Sequence, residues 1–223
     1  MTPVSWPCPA PAGDTAGEYA VAFDQGRPIR LLVIPALFDE ANRLRRLSVE
    51  TLRRLDQAGI DSFLPDFPGT DESLQPLEGL EPAHWLQAMA AAARHFAATH
   101  TLAMRGGCLF APAGLPAIHY APIDGAAVLR PLMRARVLTA REAGREETRD
   151  ALAALAEQQG IELAGYHLSA RFFRSLTTLQ LAVAAVTITQ ESIGGGGLWR
   201  AAEPGDDPAQ AEALARTVAQ ALA

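Results

Sequence analysis

The chain has 223 residues, of which 49% are hydrophobic and 20% are charged. These proportions exclude intrinsic disorder, and the length suffices for one hydrophobic core. The formal net charge of −6 argues against nucleic-acid binding, because nucleic-acid-binding domains usually carry a basic excess. We therefore expect a single domain over residues 1–223.

Cysteine usage and the apolar segments bear on cofactors and location. The two cysteines, Cys8 and Cys108, form neither a disulfide framework nor a metal-ligand spacing. The Pro-rich residues 1–13 lack the cationic start of a signal peptide. The longest apolar stretch, residues 179–188, is shorter than the roughly 20 residues that cross a bilayer. We expect a cytoplasmic protein with no membrane span, no metal and no other cofactor.

The first half of the chain alternates between strand-like and helix-like segments. Residues 1–18 are expected to form an irregular arm. Dense apolar runs are typical of strands buried on both faces. The segments between these runs have apolar residues at helical spacing. The predicted strands are residues 18–23 (a short edge strand), 30–37, 60–67, 101–104 and 117–123, and the predicted helices are residues 40–58 and 81–100. This alternation predicts a doubly wound, mostly parallel α/β sheet.

The pattern changes after residue 125. Residues 125–176 are helical and strongly charged, and their position between two sheet strands is typical of a helical cap insertion. Charged faces of this kind can dock a partner, although most are simply solvated. We predict a strand at residues 181–189 and a flexible four-glycine turn at residues 194–197. A last helix begins with Asp207 as its N-cap.

Residues 102–108 combine a strand end, a tight turn and a helix start. Ala103, Gly106 and Gly107 supply the small side chains that such a turn requires. In α/β-hydrolases this junction is the nucleophile elbow, whose middle residue is serine. Arg105 occupies that position here, and an arginine side chain stays protonated and only donates hydrogen bonds. We therefore predict that the elbow carries no nucleophile.

The other members of a catalytic triad are also missing from their expected places. The loop after the last strand, where a hydrolase histidine normally lies, contains Trp199 and none of the five histidines. Asp124 ends a predicted strand and suits a turn. Cys108 is expected to be a packed apolar residue. An esterase or thioesterase that uses Cys108, or Ser169 with His167, is the alternative.

Short segments that run in the same order along most of the chain resemble the motifs of one family. Residues 35–46 resemble P-F-x-E-E-x-N-x-x-R-R, with an Asp-Glu pair in place of Glu-Glu. Residues 64–73 are similar to L-P-D-L-P-G-x-G-D-S. Residues 104–107 are similar to the elbow G-L-R-L-G, in which arginine also replaces serine. Residues 164–169 and 198–203 are similar to A-G-Y-x-L-S and F-W-x-x-x-E.

These motifs are those of exosortase A system-associated hydrolase 2, an α/β-hydrolase-fold family. The resemblance implies an α/β-hydrolase-like fold in a bacterial protein linked to exopolysaccharide export or protein sorting. The interval between Leu181 and Trp199 is short for a strand, a helix and another strand, so one sheet strand is expected to be missing. The family's name reflects its fold, and a fold does not determine a function.

Arg105 allows two interpretations. Backbone N–H groups at a helix start and a guanidinium fork both favour an anion, which predicts a pocket for a small anionic ligand with Arg105 as its anchor. The candidate pocket residues are Phe38, Glu40, Asn42, Arg105, Gly106 and Trp199. The alternative is an internal ion pair in which Glu40 or Asp66 binds Arg105, since a buried arginine needs such a partner.

Three function classes follow. The first is a non-catalytic α/β-hydrolase homologue that binds a small anionic ligand or a partner protein in an exopolysaccharide setting. The second is a hydrolase with a non-standard nucleophile. The third is a structural subunit, a homodimer formed through the cap. Whether the chain is an enzyme is left open by the sequence.

Overall fold

The computed structural model describes all residues of the chain, Met1–Ala223. Its strands are Thr2–Pro9 (β1), Thr15–Phe23 (β2), Arg30–Ile34 (β3), Asp61–Pro65 (β4), His100–Met104 (β5), Ala117–Tyr120 (β6), Ile161–Leu163 (β7), Tyr166–Leu168 (β8) and Val186–Ile188 (β9). Its α-helices are Asp39–Gln57 (α1), Pro82–His95 (α2), Gly125–Glu142 (α3), Arg149–Gln159 (α4), Ala170–Thr178 (α5), Gln190–Ile193 (α6) and Pro208–Leu222 (α7). Short 3₁₀ helices span Leu77–Gly79, Arg105–Phe110 and Leu198–Arg200.

Seven strands form one central sheet in the order β1-β2-β4-β3-β5-β6-β9. The strands β3, β4, β5, β6 and β9 are parallel, whereas β1 and β2 are antiparallel to their neighbours. This confirms the predicted doubly wound, mostly parallel sheet. The chain leaves β3 toward β4 on one side and later returns to β5 on the other. The carboxyl ends of β3 and β5 therefore flank a topological switch point, where open α/β sheets place their ligand sites.

Helices cover both faces of the sheet. α1 and α7 pack on one face, where Leu44, Leu52 and Leu55 of α1 meet Leu214 and Val218 of α7 in one core. The second core, on the opposite face, contains α2, α3 and α5. The apolar residues that recur at helical spacing in α1 and α7 are thus the ones that these helices bury against the sheet.

The last helix also begins as its capping signals predict. The Asp207 carboxylate accepts the backbone N–H of Gln210 at 3.0 Å, and Pro208 occupies the first helical position. Proline is favoured there because the first N–H groups of a helix have no intrahelical partner.

The prediction of an irregular arm at residues 1–18 is wrong. β1 pairs with β2 along its whole length, so residues 18–23 belong to a longer strand that lies inside the sheet. The prolines Pro3, Pro7 and Pro9 all fall at alternate positions of β1, so their missing N–H groups fall on one side of the strand. Because β1 is the edge strand, that side needs no ladder hydrogen bonds.

The segment between β6 and β9 contains more than helices. α3 and α4 are followed by the antiparallel hairpin β7–β8 and then by α5. The hairpin turns at Ala164 and Gly165, which have φ values of 49° and 83°. Positive φ at both central residues gives the turn that joins two strands with the correct twist. The sequence prediction missed this hairpin because each of its strands has only three residues.

The predicted strand at residues 181–189 is correct only in its last part. β9 spans three residues, and its partner β6 has only four, which limits the pairing to Ile118–Val186, His119–Thr187 and Tyr120–Ile188. No sheet strand follows β9, as the short interval before Trp199 predicted. None of the helices combines the length and the apolar composition that crossing a bilayer requires.

Candidate functional site

The junction after β5 has the backbone shape of an elbow. β5 ends at Met104, and Arg105 has a φ of 54°, in the left-handed region that non-glycine residues rarely adopt. A 3₁₀ helix, Arg105–Phe110, follows directly. Such strained residues persist only where the surrounding structure holds them, and they concentrate at functional sites. The tight turn predicted after β5 is therefore present, with Arg105 at its strained position.

Two glycines allow the elbow to pack closely against β3 and α3. A Cβ on Gly107 would lie 2.1 Å from the carbonyl oxygen of Pro35. A Cβ on Gly106 would lie 2.6 Å from Cγ2 of Val128. Any larger side chain at Gly107 would therefore force the backbone after β3 to move. The small residues in the sequence reflect this close approach.

Two nitrogens of the Arg105 side chain donate to one carboxylate. Its Nε donates to Oε2 of Glu40 and its Nη2 donates to Oε1 of Glu40, both at 3.0 Å, while Nη1 donates to the carbonyl oxygen of Ala121 at 3.1 Å. The side chains of Arg105 and Glu40 are only 11% and 15% exposed. The other candidate partner, Asp66, binds Arg45 at 2.7 Å instead. Arg105 is thus part of an internal, bidentate ion pair.

Glu40 reaches Arg105 from the first turn of α1. Phe38, which precedes this helix, has a φ of 55° and is buried. Negative charge is favoured in the first turn of a helix because the helix dipole is positive there. The strained entry at Phe38 and the strained elbow at Arg105 therefore bring opposite charges together at the carboxyl ends of β3 and β5.

The Trp199 ring packs against the flat face of the Arg105 guanidinium. The guanidinium carbon of Arg105 lies 4.0 Å from the centroid of the Trp199 ring, in cation–π geometry. The Trp199 carbonyl oxygen accepts a hydrogen bond from Nη1 of Arg43 at 3.1 Å, which ties the 3₁₀ helix Leu198–Arg200 to α1. Trp199, in the segment after the last sheet strand, therefore packs directly on Arg105.

A cavity of about 450 Å³ lies beside this ion pair. It is lined by Leu37, Phe38, Asp39, Glu40, Arg43, Arg105, Ala127, Val128, Pro131, Leu132, Arg134, Ala135, Trp199 and Arg200. Of the candidate pocket residues, Phe38, Glu40, Arg105 and Trp199 line the cavity. Asn42 is exposed on α1 away from the cavity wall, and Gly106 is buried behind it.

The sequence prediction missed the wall that α3 provides. Ala127, Val128, Pro131, Leu132 and Ala135 recur at helical spacing and form one face of α3. That spacing was present in the sequence as a signal for a helix face. The direction of this face depends on how α3 leaves β6, so the sequence could not show that it borders the cavity.

The charges around the cavity are unbalanced. Four guanidinium groups, those of Arg43, Arg105, Arg134 and Arg200, face two carboxylates, those of Asp39 and Glu40. The chain as a whole has a net charge of −6, so this excess of positive charge is local. A cavity with this lining attracts anions.

No histidine lines the cavity. His84 caps α2, where its Nδ1 accepts the backbone N–H of Glu81 at 2.8 Å. His119 is buried in β6, and burial lowers its pKa, so its neutral form is favoured. The remaining histidines are His95, His100 and His167. The general base of a Ser-His-Asp mechanism therefore has no counterpart at the elbow.

The alternative nucleophiles lie outside the cavity as well. Cys108 donates its thiol hydrogen to the carbonyl of Ala103, and burial raises its pKa to about 12. Such a thiol is not ionised at neutral pH, whereas a nucleophilic cysteine acts as a thiolate. The Ser169 hydroxyl oxygen caps α5 by accepting the backbone N–H of Phe172 at 3.1 Å. The esterase alternative built on these residues is not favoured.

No group of three or more histidine, cysteine, aspartate or glutamate side chains is placed to hold a metal ion. The polar groups that face the cavity are guanidiniums and two carboxylates. Chemically, the arrangement can donate hydrogen bonds to an anion and can pack against an apolar group. It presents no group that is both nucleophilic and activated.

No protein-family model matches the chain, and no curated protein is similar to it in sequence. Among solved structures, a protein from Agrobacterium vitis S4 that is named as a hydrolase superimposes with a TM-score of 0.53 at 12% identity, over 78% of this chain and 70% of that one. The α/β hydrolase GrgF from Penicillium sp. sh18 matches with a TM-score of 0.47 at 16% identity, over 79% of this chain and 72% of that one. The sheet order, the elbow and the first of these similarities lead to one conclusion: the chain has the α/β-hydrolase fold.

Proposed function

We propose that this protein is a non-catalytic α/β-hydrolase homologue that binds a small anionic ligand in the cavity beside Arg105. One observation carries the proposal. The residue at the nucleophile position is an arginine held by a bidentate ion pair to Glu40, and the adjoining cavity carries an excess of guanidinium groups.

The same residues argue against turnover by the usual route. Loss of the serine from a working triad lowers turnover by on the order of 10⁶-fold. Arg105 cannot replace the serine because a guanidinium keeps its proton and therefore cannot act as a nucleophile toward a carbonyl. A ligand that enters this cavity is therefore expected to leave it unchanged.

Residues 125–176 take the role of a cap in this proposal, because α3 supplies one wall of the cavity. From the resemblance of its motifs to exosortase A system-associated hydrolase 2, we propose an exopolysaccharide-export setting for this ligand. In that setting a retained hydrolase fold without its nucleophile would serve as a receptor for a small anion.

The absence of turnover can be tested with short-chain p-nitrophenyl esters and an acyl-thioester. The wild-type protein is assayed beside Arg105→Ala and Arg105→Ser, with folding checked by circular dichroism. We expect all three proteins to remain at the background rate, since the serine variant still lacks a histidine partner. Turnover by the wild type well above both variants would contradict the proposal and would assign Arg105 to charge stabilisation for another nucleophile.

Binding can be tested by thermal unfolding in the presence of small carboxylates and phosphates at constant ionic strength. We expect at least one anion to raise the Tm, because a ligand that binds only the folded state stabilises it by mass action. The neutral amide or alcohol of the same skeleton is the matched control. If no anion raises the Tm more than its neutral counterpart does, the cavity is not an anion site.

A further inference from the structure

The lining of the cavity combines apolar side chains with exposed cationic ones. Leu37, Val128, Leu132 and the Trp199 ring line its apolar part. Of the arginines that line the cavity, Arg134 on α3 and Arg200 on the 3₁₀ helix Leu198–Arg200 are both exposed, and we call these two side chains the rim. The two rim side chains therefore come from different elements of the fold.

The four arginines of the cavity differ in what already binds them. Arg105 is bound by Glu40, and Arg43 lies 3.9 Å from Asp39. Neither Arg134 nor Arg200 has a carboxylate within 4.0 Å. The positive charge that is not balanced by a neighbouring carboxylate is therefore at the rim and not at the Arg105 end.

We infer that the ligand is an amphiphilic anion, with a carboxylate or phosphate head bound by Arg134 and Arg200 and a short alkyl or aryl body against Leu37, Val128 and Leu132. This inference rests on the proposed function and adds to it the chemical class and the orientation of the ligand. The volume of about 450 Å³ is within the range of roughly 300–1,000 Å³ that small-molecule pockets occupy.

The ion pair with Glu40 is the reason why the head does not bind Arg105. An anion there would have to displace the Glu40 carboxylate, which accepts from both Nε and Nη2 of Arg105. The displaced carboxylate would remain in the same cavity and would repel the incoming anion. The Arg105–Glu40 pair together with Trp199 thus acts as a neutral floor that directs the apolar end of the ligand inward.

Isothermal titration calorimetry on the full chain tests this orientation with a matched series. The probes are hexyl phosphate, hexanoate, inorganic phosphate, acetate and the neutral hexanol. We expect the two six-carbon anions to bind most tightly. Each methylene that enters the apolar part should improve affinity about fourfold, which is the equivalent of the transfer energy of one buried methylene.

Three variants then locate the head group. Arg134→Gln and Arg200→Gln should each weaken hexyl phosphate binding about tenfold, as expected for loss of one charge-assisted hydrogen bond. Arg130→Gln is the control, because Arg130 lies on the same helix and is exposed but does not line the cavity. It should bind hexyl phosphate like the wild type.

The outcomes separate this inference from the function on which it rests. If none of the anions binds, both fail. If inorganic phosphate and acetate bind as tightly as their six-carbon analogues, the anion site stands and the amphiphilic ligand is refuted. If the six-carbon anions bind but both rim variants behave like Arg130→Gln, the head group is not at the rim and the inference fails while the proposed function remains.

Discussion

The floor and the rim of the cavity use arginine in opposite ways. At the floor, Arg105 is 11% exposed and receives a carboxylate, a carbonyl oxygen and an indole ring as partners. At the rim, Arg134 and Arg200 are exposed and have no carboxylate partner. The residue type therefore does not define the role. A guanidinium that is bound by several partners stabilises the fold, whereas an exposed guanidinium without a carboxylate partner is available to a ligand.

The backbone supports the same distinction. Phe38, Arg105 and Ala121 all have positive φ angles, and the Ala121 carbonyl oxygen accepts a hydrogen bond from Arg105, so the strained backbone lies at the Arg105 end of the cavity. Arg134 lies within the regular helix α3. We therefore expect substitutions at the floor to change mainly the free energy of unfolding and substitutions at the rim to change mainly ligand affinity.

The largest effect is expected for Gly107→Ala, beneath the floor. The new Cβ would lie 2.1 Å from the Pro35 carbonyl oxygen and 3.0 Å from that of Ile34, and both are backbone atoms that cannot rotate away. We expect a loss of about 3 kcal/mol or more in the free energy of unfolding, at the upper end for overpacking. Urea unfolding followed by circular dichroism measures it.

Gly196→Ala is the control for this substitution, since no atom lies within 4 Å of a Cβ at that position. Its unfolding free energy should stay within about 0.5 kcal/mol of the wild type. Equal stability of the two variants would show that the elbow is not tightly packed against β3.

The next largest effect is expected for Glu40→Ala, which leaves the Arg105 guanidinium without its carboxylate. Removing one partner of a fully buried pair costs about 3–5 kcal/mol, and the remaining exposure of this pair reduces the expected loss to about 2–3 kcal/mol. Chemical denaturation at pH 7 measures the loss.

A second substitution sharpens this test. In Glu40→Ala with Arg105→Met, no unpaired charge remains, so much of the lost stability should return. A double variant that is no more stable than Glu40→Ala would mean that the charge of Arg105 does not need Glu40, and the floor would then not be a neutral ion pair.

A smaller effect is expected for the ion pair between Arg30 and Asp24, which lies at the opposite end of β3 and is more exposed than the Arg105–Glu40 pair. The hydrogen bond from Arg30 lowers the pKa of Asp24 from 3.8 to about 2. Because the folded state holds the ionised form, this stabilisation is present above about pH 4 and is lost as the pH falls from about 4 to about 2. Asp24→Asn should therefore be less stable than the wild type at pH 7 by less than about 1 kcal/mol, since the Asp24 side chain is 47% exposed.

Unfolding measured at pH 7 and again near pH 2 checks this expectation. The difference between wild type and Asp24→Asn should shrink toward zero at the lower pH. A loss as large as that of Glu40→Ala would show that burial does not decide how much an arginine pair contributes in this protein.

The smallest effect on stability is expected at the rim. Arg134→Gln and Arg200→Gln remove exposed charges that form no ion pair, so the free energy of unfolding should change by no more than about 0.5 kcal/mol. Thermal unfolding without ligand measures this change. A loss above about 1 kcal/mol in either variant would place that arginine in the structural framework instead of at a binding site.

Much of the fold follows from local patterns. Dense apolar runs predicted the buried strands β3 and β4, and helical periods predicted α1 and α7, because burial on one face imposes a repeat that neighbouring residues display. The edge strand β1 escaped prediction, since its prolines suppress the usual strand signal and are tolerated only where no neighbour needs their N–H groups. That condition depends on where the strand lies in the sheet.

In the candidate site, too, some features follow from the local sequence and others depend on tertiary packing. The sequence by itself determined that an arginine follows β5 at a tight, glycine-rich elbow, and that no histidine lies in the loop that contains Trp199. It left open whether Glu40 or Asp66 would bind Arg105. Only the tertiary structure decided for Glu40, and only it brought α3 with Arg134 to the cavity. These contacts join residues far apart in the chain, and they depend on how helices and strands pack, which no local pattern of residues encodes.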